Sequence, residues 1–217
     1  MSPAPLRGAV AALCALACTA ALAGCGGSDP EQAASSAPAN TDAAQPVSDA
    51  ADRGSSVLRG RVALIDGATL PLSDLRGSVV LVVNTASRCG YTPQFEGLEA
   101  LYTAARGDGF TIIGFPSNDF RQELTKDGEI AKFCTLNYGV SFPMAARSRV
   151  TGPRANPLFA AIASRPAPAG EEPAWNFTKY LLDRSGRLVA RYPSSVEPDD
   201  PELRAAIERL LEEDRDL

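Results

Sequence analysis

The 217-residue chain contains no histidine. That absence excludes a Ser-His-Asp triad, a Cys-His pair, an HExxH zinc site and any imidazole proton shuttle. Its five cysteines are Cys14, Cys18, Cys25, Cys89 and Cys134. None forms a CxxC pair, which removes zinc ribbons and the usual dithiol redox motif. Basic residues are fewer than acidic ones, 21 against 26, for a formal charge of −5. This balance argues against nucleic acid or anionic headgroups as electrostatic partners. What remains for chemistry is cysteine, carboxylate, amide, lysine and a single tryptophan, Trp175.

The N-terminus reads as an export signal. Arg7 supplies a short positive region, and residues 9–23 are apolar and uncharged, too few for a comfortable membrane span. The run ends in Leu22-Ala23-Gly24-Cys25, which resembles the lipobox of bacterial lipoproteins. That resemblance implies cleavage of residues 1–24, lipidation of Cys25 and anchoring to a membrane on its extracytoplasmic or periplasmic face. Cys14 and Cys18 are then discarded, leaving Cys89 and Cys134 as free thiols. Between Gly26 and Ser56, 20 of 31 residues are Gly, Ala, Ser or Pro, and Val47 is the one large apolar side chain. Such a stretch cannot bury enough surface to offset its ordering entropy. Residues 25–56 are therefore read as a flexible tether and residues 57–217 as the globular domain.

Within that domain the chain is organised around residues 79–93. The run Val79-Val80-Leu81-Val82-Val83 is apolar on both faces, as in a central strand covered by helices. It ends in Asn84-Thr85-Ala86-Ser87-Arg88-Cys89, and Thr92-Pro93 reads as the N-cap and first residue of a helix. A thiol at such a mouth faces backbone N–H groups and the positive end of the helix dipole. Its bland alternative is a small apolar residue filling a strand end.

Phe95, Leu98, Leu101, Tyr102 and Ala105 recur at helical spacing, and residues 110–115 form a second buried strand. The strand–helix–strand unit predicts parallel strands. A helix is expected over residues 127–138, with Ile130, Phe133 and Cys134 on its apolar face. A hairpin should turn at Ser185-Gly186, and Leu203, Ile207, Leu210 and Leu211 mark a C-terminal helix. The class is α/β, a central mixed β-sheet flanked by helices on both faces.

Three stretches together resemble the signatures of the glutathione peroxidase family, in that family's order. They are residues 84–92 around Cys89, residues 115–123 containing Phe115-Pro116 and Gln122-Glu123, and Trp175-Asn176-Phe177-Thr178-Lys179. The resemblance covers residues 57–217 and implies a thioredoxin-like fold. It implies that Cys89 is the peroxidatic cysteine and that Gln122, Trp175 and Asn176 complete a catalytic tetrad, with cysteine where some members carry selenocysteine. It also implies that Cys134 resolves the Cys89 sulfenic acid as a disulfide, which a thioredoxin-like protein, or alternatively glutathione, then reduces. If the two thiols start far apart, the helix bearing Cys134 must partly unwind. Hydroperoxide is the substrate, and no metal or cofactor is called for.

The residue chemistry agrees with this assignment. A hydroperoxide is cleaved when a thiolate attacks one oxygen and the other leaves as an anion that needs donors. Side-chain amides and an indole N–H donate without carrying charge. Taken singly, Trp175 could be core, Asn176 a turn residue, Gln122 a solvated loop residue and Cys134 an inert buried thiol. Ser117, Asp119, Arg121 and Leu124 depart from the family's common residues. The short connection between Pro157 and Trp175 lacks the loop that tetrameric members use, so a monomer is expected. Two other readings stay open: a peroxide-sensing redox relay to a partner protein, and a binding module with a structural Cys89–Cys134 disulfide.

Overall fold

The computed structural model describes residues 45–46 and 55–213. The expected signal peptide, Cys25 and most of the expected tether lie outside the described residues. Within the tether, Gln45–Pro46 forms a two-residue strand, β1, at the edge of the sheet.

The main sheet has five strands in the order β1-β7-β6-β4-β5. Strand β4 (Val79–Thr85) is buried along its whole length. It runs parallel to β5 (Phe110–Pro116) and antiparallel to β6 (Lys179–Leu182). β6 pairs antiparallel with β7 (Leu188–Tyr192) through the expected turn, and β7 pairs with β1. A separate hairpin is formed by β2 (Arg61–Ala63) and β3 (Thr69–Pro71).

Alternation along β4 sorts the core into two layers, because successive side chains point to opposite faces. Val79, Leu81 and Val83 share one apolar layer with residues of α1 (Gln94–Ala105), α2 (Asp127–Tyr138) and α4 (Pro201–Glu212). Val80 and Val82 pack on the other side with α3 (Pro157–Ala163) and the N-terminal segment around Leu58 and Val62. Helices therefore cover both faces, and the architecture is thioredoxin-like, as expected. In α4, Leu203, Ile207, Leu210 and Leu211 are all buried. Asp200 caps that helix, its carboxylate accepting from the N–H groups of Glu202 and Leu203.

Helix α3 was not legible in the sequence. Its seven residues are too short for a periodic signal, although Asn156 caps it and Pro157 opens it. After α2, Met144 makes an isolated parallel bridge against Gly114. A Cβ at Gly114 would collide with the Met144 sulfur, so a larger residue there would force that side chain to move.

Strand direction decides where the site is built. The parallel β4–β5 register runs to Thr85↔Pro116, so the chains that follow, residues 86–89 and 117–122, leave the sheet side by side. β6 enters antiparallel with Lys179 opposite Val83, placing residues 175–178 at that same end. All three signature stretches converge at the carboxyl end of the parallel strands.

Candidate active site

Cys89 lies in the loop after β4, buried to 8% exposure. The Tyr91 N–H donates to its Sγ at 3.4 Å. The Cys89 N–H donates to the Thr92 hydroxyl at 3.0 Å, and that hydroxyl donates to the Ala86 carbonyl at 2.8 Å. Thr92 is thus not the helix N-cap expected from sequence. Helix α1 starts at Gln94, with Pro93 as cap and no capping side-chain bond. Successive tight turns, Gln94 N–H to Tyr91 O and Phe95 N–H to Thr92 O, already satisfy the first amides. The hydroxyl turns back and staples the cysteine loop instead.

Gln122 and Asn176 meet directly. The Asn176 side-chain amide donates to Gln122 Oε1 at 2.8 Å, which leaves both Nε2 hydrogens of Gln122 for another acceptor. The Gln122 carbonyl receives the N–H of Arg88, the residue before Cys89, at 2.9 Å. Asn176 is fully buried, and its Oδ1 has no hydrogen-bond partner. Trp175 is not a core residue: it is 42% exposed, and its ring tilts against Phe120 at a centroid distance of 5.2 Å. Tyr91 and Trp175 line a common cleft of about 230 Å³ with Pro193 and Ser194. Behind this front, Asn84 donates its side-chain N–H to the Trp175 carbonyl at 3.0 Å and accepts the Phe177 N–H on its own carbonyl at 2.6 Å.

Cys134 is buried in α2, in the same apolar layer as Cys89, and both thiols are free. No structural disulfide joins them. Burial, reinforced by the nearby Glu123 carboxylate, pushes the Cys134 thiol up to about 12. Glu123 is the buried group that sequence reasoning missed. One of its carboxylate oxygens accepts the N–H of Ser87 at 3.1 Å and of Leu124 at 2.7 Å, tying the second signature loop to the first. Its own ionisation is raised by burial, against the lowering effect of these bonds. A carboxylate beside Gln122 was visible in the sequence, but its burial was not.

Three departures from the family pattern have local explanations. Asp119 accepts from the N–H groups of Val150 and Thr151 at 2.7 and 3.0 Å and pairs with Arg149 at 3.4 Å, pinning a neighbouring loop to the site. Ser117 is fully buried and accepts the Asp119 N–H at 3.3 Å. Arg121 adopts φ 59°, a left-handed conformation in which glycine would pay no steric cost.

Comparison with known proteins agrees with the geometry. The glutathione peroxidase family profile matches residues 58–163. The chain is 48% identical to the hydroperoxy fatty acid reductase of Synechocystis sp. over 155 residues, 68% of this chain and 90% of that protein. It is 48% identical to a glutathione peroxidase-like peroxiredoxin of Schizosaccharomyces pombe over 136 residues, 62% of this chain and 86% of that one. Among solved structures, that of T. cruzi GPX1 superposes with a TM-score of 0.58 at 32% identity, covering 72% of this chain and 96% of that one. With a cysteine loop, an amide pair and an exposed indole gathered at one sheet end, and with likeness on this scale, the chain belongs to the glutathione peroxidase family.

Proposed function

We propose that the protein is a thiol-dependent peroxidase that reduces hydrogen peroxide and organic hydroperoxides, including those of lipids. The observation that carries this reading is that the segments bearing Cys89, the Gln122–Asn176 amide pair and the exposed Trp175 indole meet at one end of the sheet in a chain without histidine. The Cys89 thiolate attacks one peroxide oxygen, an S–O bond forms and the O–O bond breaks. The departing oxygen takes up a proton and leaves as water or an alcohol, and Cys89 becomes a sulfenic acid. Uncharged donors from Gln122, Asn176 and Trp175 stabilise the anionic oxygen as it develops. The Tyr91 N–H steadies the sulfur, since a hydrogen bond is stronger to an ionised acceptor.

Cys134 then attacks the sulfenic sulfur, forming a disulfide and releasing water. A thioredoxin-like protein returns two electrons; glutathione is the other candidate donor. The thiol route is supported by the S. pombe relative's description as a peroxiredoxin, and lipid substrates by the Synechocystis relative's description as a hydroperoxy fatty acid reductase. The lipobox-like Leu22-Ala23-Gly24-Cys25 supports export and anchoring through Cys25. The short connection before Trp175 supports a monomer.

Stopped-flow peroxide consumption by the full chain tests the core of this reading. Cys89→Ser should abolish it, and retained activity sinks the assignment. Cys134→Ser should still oxidise once but fail to turn over with thioredoxin. Cys25→Ala should move the protein out of the membrane fraction, and a protein that stays there refutes the anchor.

A further inference from the structure

Lys179, the first residue of β6, is fully buried. Its Nζ donates to Gln94 Oε1 at 2.7 Å and to the Phe177 carbonyl at 2.9 Å. Gln94, the first residue of α1, is itself buried and passes the connection on, its Nε2 donating to the Ser194 carbonyl at 2.7 Å. Among the described residues no carboxylate forms an ion pair with this amine. Burial lowers its ionisation to about 7, partly opposed by the more distant Glu197 and Asp200. A neutral amine has two N–H donors, enough for both acceptors.

Burying such a group costs several kcal/mol, whereas an apolar side chain of the same length would fill the space without that penalty. The bonds also fall at a strained place. Phe177 holds φ 65°, a left-handed conformation that costs a bulky residue about 1–2 kcal/mol. Both of its flanking peptide groups are held: its N–H by the Asn84 carbonyl and its carbonyl by Lys179. The residue just before it is Asn176. The turn that aims the Asn176 amide at Gln122 is thus kept from relaxing by the same amine that grips the first residue of α1, five residues after Cys89.

We propose that Lys179 is a positioning residue of the peroxidase site, clamping the helix entry that follows Cys89 to the strained turn that presents Asn176. This rests on the peroxidase reading above. In its absence Phe177 relaxes toward negative φ and the Asn176 amide turns away from Gln122. A misplacement of about 1 Å in a reacting group costs on the order of a hundredfold in rate.

The test compares Lys179→Met and Gln94→Met, which cut the clamp from opposite ends, with the double variant. Single-turnover oxidation of Cys89 by hydrogen peroxide and by cumene hydroperoxide is followed through the fluorescence of Trp175. Each single variant should lose at least tenfold in rate, by the same factor for both peroxides, and Lys179→Met, which removes the buried amine itself, should keep a thermal midpoint no lower than that of the parent. The double variant should fall no more than about twofold further, since one clamp can be broken only once. Rates within twofold of the parent, losses that multiply in the double variant, or a Lys179→Met loss matched by unfolding would each overturn the clamp. Cys89→Ser separates the two readings: if it stays active the peroxidase assignment fails, whereas an active Lys179→Met removes only the clamp.

Discussion

As a resolving nucleophile Cys134 would be handicapped inside the folded helix, and the size of that handicap can be worked out. With its thiol pushed up to about 12, roughly one molecule in 10⁵ carries the thiolate at pH 7. Released into water, a cysteine near 8.5 is ionised to about 3%. The gain is roughly 3,000-fold, equivalent to about 5 kcal/mol. Local unwinding of α2 is therefore the faster route whenever it costs less than that. The helix is lightly buried: only Ile130 and Cys134 of its 12 residues are buried, with Phe133 and Tyr138 partly so, and Lys126 provides no capping side-chain bond. Leu136 is 81% exposed. The perturbation that tests this stabilises α2 without touching the site. A methyl group added at Gly128 would meet open space, and Thr135 is exposed. Gly128→Ala and Thr135→Ala together should add about 1–1.5 kcal/mol of helix propensity. Disulfide formation, measured by quenched-flow thiol titration after one equivalent of peroxide, should slow about five- to tenfold. Cys89 oxidation, followed by Trp175 fluorescence, should not change. A disulfide step that is unchanged or faster would refute unwinding as the way Cys134 is released.

Other consequences follow from particular contacts. Gln122→Ala should slow Cys89 oxidation by about 10²–10³, the loss of one preorganised donor to a developing oxyanion, in stopped-flow single turnovers. Arg121→Gly should raise stability by about 0.5–1 kcal/mol in urea titrations, because relief of left-handed strain exceeds the added unfolded-state entropy at this exposed position. Lys179 should make stability rise with pH above about 7. Its folded-state ionisation near 7 lies below the usual 10.5, so the unfolded chain holds the extra proton across that window. The penalty is complete below pH 7 and fades toward 10.5. Measurements between about pH 7 and 8 isolate it, since Cys134 opposes it from its unfolded-state value near 8.5 upward and Tyr192 only at higher pH. Chemical denaturation midpoints should climb over this interval, and Lys179→Met should flatten the slope; an equal slope in both proteins would show that another group titrates.

The sequence by itself determined the elements whose signal is periodic or contiguous. The run at residues 79–83 is apolar on both faces because β4 is covered by helices on both sides, and Leu203, Ile207, Leu210 and Leu211 repeat because α4 buries one stripe. The three signature stretches were also visible, through their resemblance to the glutathione peroxidase family, and their residue types suit hydroperoxide chemistry. Tertiary structure decided what depends on neighbours distant in the chain. Parallel pairing of β4 with β5 and antiparallel entry of β6 bring together distant stretches, as in the bond from Asn84 to the Trp175 carbonyl across 91 residues. Thr92 looked like a helix cap but staples the cysteine loop, because tight backbone turns had already used the amides it would have served. Glu123 and Lys179 look like ordinary surface charges in one dimension. Burial, which no local pattern encodes, turns the first into a brace between two loops and the second into a clamp between a helix entry and a turn.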